Sequence, residues 1–252
     1  MTIIFYDIPS TIGPWSPNTW KVRYCLNFKG LPYKTEWIEY PDIAPRCQQL
    51  GIAHTTMKPD GVTPHYTLPA IYDPSTKRYI AESAAIAEYL EEQYPDTPAV
   101  FPFDTMGLLI DFKDALNRVG IIAAHQFVRP AIHRILNPAS QGFYRTTREQ
   151  FYGKKLEDVA PKLDTEEGRV EWAKIEATFA TVALWYSKNG GKGPFILGDR
   201  VSWADFVVGG NLLWFKAAWG EDDKKWKDLM SWQGGVWKTL SDALKEYEKQ
   251  LD

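Results

Sequence analysis

The chain has 252 residues, of which 44% are hydrophobic and 24% are charged, and its formal net charge is −3. This length allows one large domain or two ordinary ones with a substantial core, and the near balance of charges argues against nucleic acid as a partner. The N-terminus, MTIIFYDIPS, has no basic region or cleavage site, and His125 interrupts the most apolar internal run, so we expect neither a signal peptide nor a membrane span.

The first elements predict a strand, helix, strand unit. Residues 2–8 form a β-branched and aromatic run that ends at Pro9, which is typical of a buried strand. Residues 17–29 carry apolar positions on one helical face, and Gly30 closes this helix in the usual C-terminal manner. Residues 33–40 then predict a second strand, which should pair in parallel with the first.

The following stretch completes an α/β pattern. We predict a short helix over residues 42–50 and a long irregular loop over 51–66. Residues 66–73 and 77–83 are short β-rich runs joined by the turn sequence DPST, so they predict a hairpin. A strong helix follows over residues 82–95.

A proline-rich linker separates two halves of different character. The segment PDTPAVFPFDT holds three prolines in eleven residues, and from Met106 onward the apolar period is almost entirely helical. We therefore expect an α/β domain over residues 1–94, a linker over 95–103 and an all-α domain over 104–252. The predicted helices of the second half cover residues 108–136, with a kink at Pro130, and residues 148–163, 166–188, 201–219 and 234–251.

The two cysteines, Cys25 and Cys47, form neither a disulfide framework nor a metal-ligand cluster, because neither has a second Cys or a His at ligand spacing. We expect no metal cofactor, and the cytosol is the simplest location.

Two short motifs bracket the predicted hairpin. In TLPAI, a cis bond between Leu68 and Pro69 directly before a strand would turn the backbone groups of Leu68 toward a ligand. In ESAAI, Glu82 and Ser83 open a helix whose N–H groups favour a carboxylate. An ordinary trans proline and a solvated first-turn serine are the alternatives. Together the motifs indicate a site for a short, anionic, peptide-like ligand.

This order of elements and motifs resembles a glutathione transferase, with a thioredoxin-like first domain. The segment FILGDRVSWADFVVGGNLL adds a second match, since it is similar to the capping box of the family's helical domain, with Ser202 as N-cap and Asp205 at the third position. Within the family, GPWSPNTWK and the inserted GVTPHYTLPAIYDPST look most like the fungal serine-type transferases related to bacterial β-etherases.

The resemblance implies glutathione as co-substrate. Its cysteinyl backbone would lie along Leu68, its γ-glutamyl group at Glu82 and Ser83, and its glycyl carboxylate near His54 or, alternatively, His65. The resemblance also implies a homodimer.

Ser16 stands at the start of the first predicted helix, followed by Pro17, and it has two readings. As an N-cap it would contribute about 1 kcal/mol of stability. As a catalytic group its hydroxyl, with the first-turn N–H groups, would stabilise the glutathione thiolate, and the resemblance pairs Asn18 with it. Tyr6 in the first strand is a poorer candidate for this role. Because a serine stands where thiol-exchanging members carry a cysteine, we expect conjugation rather than disulfide exchange.

The second substrate would lie between the domains, against Trp15 and Phe112, with core packing as the alternative for both residues. Aromatic residues are 14% of the chain, and an aromatic wall suits a planar aromatic electrophile. The predicted function is attack of activated glutathione on such compounds, in detoxification or in glutathione-dependent ether cleavage. The alternative is a carrier that binds aromatic compounds on the same fold with little or no turnover.

Overall fold

The computed structural model describes residues 2–249, and its first half is an α/β unit. Its four-stranded sheet has the order β2-β1-β5-β6, and two very short strands form a separate pair. The elements are β1 (Ile3–Asp7), α1 (Pro17–Lys29), β2 (Tyr33–Trp37), α2 (Ile43–Leu50), β3 (Thr56–Met57), β4 (Pro64–His65), β5 (Ala70–Asp73), β6 (Arg78–Ala81) and α3 (Ser83–Gln93).

The pairing of the strands follows the sequence prediction. β1 and β2 are parallel, with Ile3 opposite Tyr33, and β5 pairs antiparallel with both β1 and β6. The predicted bounds differ in two places. β2 ends at Trp37 because residues 40–42 form a 3-10 turn, and the predicted irregular loop over 51–66 contains the β3–β4 hairpin.

The second half is helical. Its helices are α4 (Met106–Leu109), α5 (Phe112–Arg118), α6 (His125–Ile132), α7 (Pro138–Tyr152), α8 (Glu166–Tyr186), α9 (Trp203–Trp219), α10 (Lys224–Ser231) and α11 (Val236–Leu244). The single helix predicted over 108–136 is wrong, because the chain is broken into α4, α5 and α6. Gly120, with φ of 110°, separates α5 from a 3-10 turn, and α6 passes into another 3-10 turn just after Pro130.

Two other helical predictions need correction. The helix predicted over 148–163 is α7, which starts earlier because Asn137 and Pro138 form its N-terminus, and which ends at Gly153 with φ of 64°. α10 was not predicted. α11 falls inside the predicted span 234–251, whose last two residues lie outside the described part of the chain.

Helix α1 of the α/β unit packs directly on α9 of the helical unit. The ring of Tyr24 stacks on Phe206 with centroids 5.3 Å apart. A Cβ atom at Gly210 would lie 2.7 Å from the backbone oxygen of Pro17, and one at Gly209 would lie 2.4 Å from Leu244 Cδ1. Gly210 therefore allows the N-terminal turn of α1 to approach α9 closely, and Gly209 leaves room for Leu244 of α11 and the ring of Tyr24.

The linker is held by one ion pair. Lys29 Nζ lies 2.8 Å from Glu91 Oε2 and also donates to the carbonyl of Pro98. The Glu91 carboxylate accepts the N–H groups of Val100 and Phe101, each at 3.1 Å. The ends of α1 and α3 thus fix the path between the domains. None of the helices within residues 2–249 has both the length and the apolar character that a transmembrane span requires.

Candidate active site

Ser16 occupies the N-cap position of α1, as predicted, but its hydroxyl does not cap the helix. Its φ and ψ of −70° and 131° are those of an N-cap, and its carbonyl accepts the N–H of Trp20 at 3.0 Å. The side chain makes no capping hydrogen bond, and Ser16 is only 5% exposed. The hydroxyl is therefore free to donate to an external acceptor.

A cavity of about 320 Å³ lies between the two domains beside Ser16. Residues from α1, the segment after β2 and helices α5, α6, α7 and α9 line it. The aromatic lining residues are Trp15, Tyr40, Tyr144 and Trp214, the amides are Asn18, Asn117 and Asn211, and the basic residues are Lys21, Lys113, Arg129, Arg148 and His125. Ser16, Pro17, Leu116 and Ile121 complete the lining.

Lys21 and Asn18 form one unit on the cavity side of α1. Lys21 Nζ donates to Asn18 Oδ1 at 2.8 Å, which directs the amide N–H₂ of Asn18 away from the lysine. Burial, followed by the charge of Lys113, lowers the pKa of Lys21 to about 7, against the opposing influence of Glu82 and Asp114. The site thus holds an ammonium group that titrates near neutral pH.

Glu39 joins the α/β domain to the N-terminus of α7. Its carboxylate accepts from Asn137 Nδ2 at 2.8 Å and from the hydroxyl of Ser140, and the N–H of Tyr40 donates to Ser140 Oγ at 2.9 Å. A carboxylate at a helix N-terminus is favourable because it faces unpaired N–H groups. This contact places Tyr40 against Tyr144, with ring centroids 5.5 Å apart.

The second predicted face of the site is formed by the motifs around the β5–β6 hairpin. The Leu68–Pro69 bond is cis, as predicted. Glu82 has φ of 79°, which is rare for a residue with a side chain and is typical of functional sites. The carboxylate of Glu82 itself accepts the N–H groups of Ala84 and Ala85, at 2.9 and 3.3 Å. The first turn of α3 is therefore partly satisfied by Glu82, and Ser83, 3% exposed, lies beside it.

Lys113 connects this face to the cavity. It lines the cavity, and its Nζ lies 3.7 Å from Glu82 Oε1. The N-terminal turns of α1 and α3 therefore border the same region of the domain interface.

Several predicted residues lie elsewhere. Phe112 is buried and packs edge to face on Trp185 at 5.6 Å, so its ring is part of the helical core and not of the cavity lining. Tyr6 is also buried away from the cavity, and burial raises its pKa far above the usual value, followed by the influence of Glu36. Cys25 and Cys47 are buried and free, and neither lines the cavity.

The two histidines proposed for the glycyl carboxylate are both exposed. The ring centroids of His54 and Tyr66 are 6.1 Å apart. His65 belongs to β4, and its Nδ1 lies 3.3 Å from Thr56 Oγ1. Burial lowers the pKa of His65, and the charges of Lys58 and Arg148 add to this. Neither histidine lines the cavity.

Sequence reasoning missed most of the polar cavity lining. Lys21 had a signal, because it lies three residues after Asn18 on the same helix face. Arg148 stands four residues after Tyr144 on α7, but the predicted helix began only at Arg148. Asn211 and Trp214 lie on the predicted helix α9, and nothing in their spacing marks them.

The predicted capping box of α9 is confirmed. Asp205 accepts the N–H and the hydroxyl of Ser202 at 2.9 and 2.8 Å, and also the N–H of Ile196. Burial raises the pKa of Asp205 to about 6, although these hydrogen bonds oppose the shift. Within residues 2–249, no cluster of His, Cys, Asp and Glu could hold a metal ion.

A thioredoxin-like domain, a helical domain and a cavity at the N-terminal turn of α1 define the architecture of glutathione transferases. Residues 15–93 match the model of the glutathione S-transferase N-terminal domain, and residues 109–247 match that of the C-terminal domain. The chain belongs to the glutathione S-transferase family, which is a family of enzymes.

Fungal proteins are among its relatives. The glutathione S-transferase-like protein ustS of Aspergillus flavus is 31% identical over 94% of this chain and 86% of its own. The structure of CsGST63524 of Ceriporiopsis subvermispora, in complex with glutathione, is 45% identical, covers 99% of both chains and has a TM-score of 0.92. The structure of GSTFuA3 of Phanerochaete chrysosporium is 40% identical, covers 99% and 98%, and has a TM-score of 0.91. The resemblance to fungal glutathione transferases is thus confirmed.

Proposed function

We propose that this chain binds glutathione and transfers it to aromatic electrophiles, with Ser16 stabilising the thiolate. The observation that carries the proposal is the Ser16 hydroxyl, which is buried at the first turn of α1 beside the cavity and makes no capping bond. A hydroxyl that lines the cavity and has no internal partner is available to a ligand that accepts its proton.

The thiolate needs this support. A thiol of pKa about 8.5 is only slightly ionised at neutral pH. Lowering that pKa by about 2 units requires about 2.7 kcal/mol of preference for the thiolate. A charge-assisted hydrogen bond from Ser16, the N–H groups of the first turn and the amide of Asn18 are donors of the right kind.

The tripeptide backbone fits the second face. Leu68 precedes β5, and none of the hydrogen bonds among the described residues involves its N–H or C=O. These groups are available to pair with the cysteinyl unit, as in β-augmentation. The Ser83 hydroxyl and N–H would hold the γ-glutamyl carboxylate, and the Glu82 carboxylate would face its ammonium group. His54 or His65 would meet the glycyl carboxylate.

With an aryl or alkyl halide or an ether the reaction is a nucleophilic displacement, whereas an isothiocyanate adds the thiolate at its central carbon and takes up a proton at nitrogen, with no leaving group. The thiol proton leaves to solvent, the sulfur forms a bond to an aryl or alkyl carbon, and the leaving group departs with the bonding electrons. Halide or aryloxide leaving groups correspond to detoxifying conjugation and to ether cleavage. Trp15, Tyr40, Tyr144 and Trp214 supply the aromatic wall for the second substrate. We further propose a cytosolic homodimer, on the resemblance and on the two free cysteines.

The test compares wild type with Ser16→Ala. We measure conjugation of 1-chloro-2,4-dinitrobenzene and of benzyl isothiocyanate, together with the pKa of bound glutathione from thiolate absorbance. We expect Ser16→Ala to lower kcat/KM about 10- to 100-fold and to raise the thiol pKa, with little change in glutathione affinity.

Two outcomes would redirect the proposal. A wild type that binds glutathione but conjugates neither compound would favour the carrier function. A Ser16→Ala variant with unchanged turnover and lower thermal stability would make Ser16 a structural residue.

A further inference from the structure

The cavity beside Ser16 has an unusual charge balance. Four of its lining residues are Lys or Arg, and no Asp or Glu is among them. Lys113 has a partner in Glu82, and the charges of Glu82 and Asp114 also act on Lys21, but Arg129 and Arg148 form no ion pair with a carboxylate within residues 2–249. Cations at a partly buried interface without a counterion favour the binding of an anion.

The buried unpaired polar atoms of the cavity lining are donors, which also suit an anion. Three N–H groups of lining residues are buried without a partner in the described part of the chain: Trp15 Nε1, Trp214 Nε1 and Arg148 Nε. All three are donors. Among the buried side-chain atoms of the lining within residues 2–249, there are thus unpaired donors and no unpaired acceptor.

Arg148 lies where it would meet both a ring and a charge. Its guanidinium carbon is 4.6 Å from the centroid of the Tyr144 ring and 5.8 Å from that of Tyr40. These ring contacts and hydrogen bonds with Tyr40 and Tyr144 hold the guanidinium in place, and its Nη1 also donates to Thr147 Oγ1 at 3.1 Å. Its Nε has no partner among the described residues. Arg129 is held in a similar way over Phe151, at 5.2 Å.

We propose that the second substrate of this site is a negatively charged aromatic compound, such as an aryl carboxylate, whose ring packs among Trp15, Tyr40 and Tyr144 and whose charge is met by Arg148 and Arg129. This inference rests on the proposed function, because it assigns the substrate class of the same cavity. A carboxylate and a guanidinium match in charge and geometry. It adds a negative charge to the planar aromatic electrophile expected from the sequence.

The experiment uses a matched pair of electrophiles, 4-chloro-3-nitrobenzoate and its methyl ester. Each kcat/KM is divided by the uncatalysed rate constant with glutathione, so that differences in reactivity cancel. For the wild type we expect the corrected value to be at least tenfold higher for the carboxylate. In Arg148→Gln and Arg129→Gln the ratio should fall to about 1–3, whereas Arg148→Lys should keep part of the advantage.

Arg145→Gln is the matched control. Arg145 lies on the same helix, but it pairs with Glu149 and Glu157 outside the cavity, so the ratio should stay at the wild-type value. A wild type that prefers the ester, or uses both equally, overturns the proposal. So does an Arg148→Gln variant whose only defect is a raised Kd for glutathione, because Arg148 would then serve the tripeptide.

The two proposals fail differently. Turnover of the ester without a preference for the carboxylate keeps the proposed function and rejects the inference. If neither electrophile reacts, 1-chloro-2,4-dinitrobenzene and benzyl isothiocyanate decide the proposed function, and tryptophan quenching by 2-naphthoate and methyl 2-naphthoate decides the inference. A carboxylate bound at least tenfold more tightly, with the same loss in Arg148→Gln, supports it, and equal binding rejects it.

Discussion

Lys21 Nζ donates a 2.8 Å hydrogen bond to Asn18 Oδ1, and both residues line the cavity at the first turns of α1. The bond ties the orientation of the Asn18 amide to a buried ammonium group whose charge is opposed by burial. A change at Lys21 should therefore alter both the site and the pH dependence of folding.

For Lys21→Met we predict a weaker pH dependence of the free energy of unfolding, because the contribution of Lys21 is lost. Lys21 has a pKa of about 7 in the folded chain, and 10.5 is the reference value for an unfolded one. Between these values the unfolded state holds the proton and the folded state does not, so the free energy of unfolding rises with pH by up to about 1.4 kcal/mol per unit. Below about pH 7 the burial penalty is fully present, and above 10.5 it is gone.

Urea unfolding at several pH values from 7 to 9.5 checks this prediction. As the pH rises, the free energy of unfolding of the wild type should increase relative to that of Lys21→Met by about 1 kcal/mol per pH unit. Lys34→Met, at an exposed position of β2, controls for the loss of a positive charge. Parallel profiles for wild type and Lys21→Met would show that Lys21 stays charged in the folded chain.

Gly210→Ala should damage the site through the backbone. The added Cβ would lie 2.7 Å from the carbonyl oxygen of Pro17, so the first turn of α1 must move. We predict a loss of about 1–3 kcal/mol of stability and a clear drop in kcat/KM for conjugation, because Ser16 and Asn18 move with that turn.

Gly142→Ala is the control for this substitution. A Cβ at Gly142 of α7 meets nothing within 4 Å, so alanine should leave activity unchanged and raise stability by up to about 1 kcal/mol. Thermal melts and conjugation rates for both variants give the comparison. Wild-type activity in Gly210→Ala would mean that the geometry of the turn is not critical.

Arg23→Met should be strongly destabilising. Arg23 and Asp7 are both fully buried, with Nη2 2.9 Å from Oδ2, and the guanidinium also lies 5.0 Å from the centroid of the Phe5 ring. Burial raises the pKa of Asp7 even though Arg23 opposes this. Removing one partner of such a pair costs about 3–5 kcal/mol.

A double substitution tests this explanation. Asp7→Asn in the Arg23→Met background removes the remaining buried carboxyl and should recover part of the loss, as measured by denaturant titration. If the two losses simply add, packing around Arg23 rather than the ion pair accounts for the cost.

Phe112→Leu should affect folding and not substrate choice. Because Phe112 packs on Trp185 inside the helical domain, the smaller leucine side chain should cost about 1–2 kcal/mol of stability and leave the ratio of kcat/KM values for two electrophiles unchanged. Trp214→Phe, which changes a cavity residue, should alter that ratio. A shift of the ratio in Phe112→Leu would restore Phe112 to the substrate site.

The fold was predictable where local signals agree with packing. The bounds of α1 follow from Ser16 and Pro17 at one end and Gly30 at the other, and the hairpin follows from its turn residues. The continuous helix over 108–136 was wrong because hydrophobic periodicity does not reveal the positive φ of Gly120, which separates α5 from the following 3-10 turn. The start of α7 was missed because the predicted helix began only at residue 148, although Asn137 and Pro138 form a typical N-terminus.

The site was predictable only in part, for a different reason. Ser16, Leu68 and Glu82 lie in short motifs with local chemistry. Tyr40, Arg148 and Asn211 reach the cavity from elements far apart in sequence, and only the docking of the domains brings them together. No motif or spacing in the sequence links these residues, so their arrangement around the cavity could not be predicted.

The close contact of α1 with α9 sets a rule for making hybrids of this chain and its relatives. The hydrophobic core is continuous across the contact between α1 and α9, since Tyr24 and Phe206 belong to one cluster of buried side chains. If only the first domain were taken from a relative, the surface of its α1 would be shaped to pack on the α9 of that relative. A hybrid that takes α1, Gly209 and Gly210 from the same parent preserves the fit between the helices. The unit to exchange is therefore the α1–α9 contact and not the whole first domain.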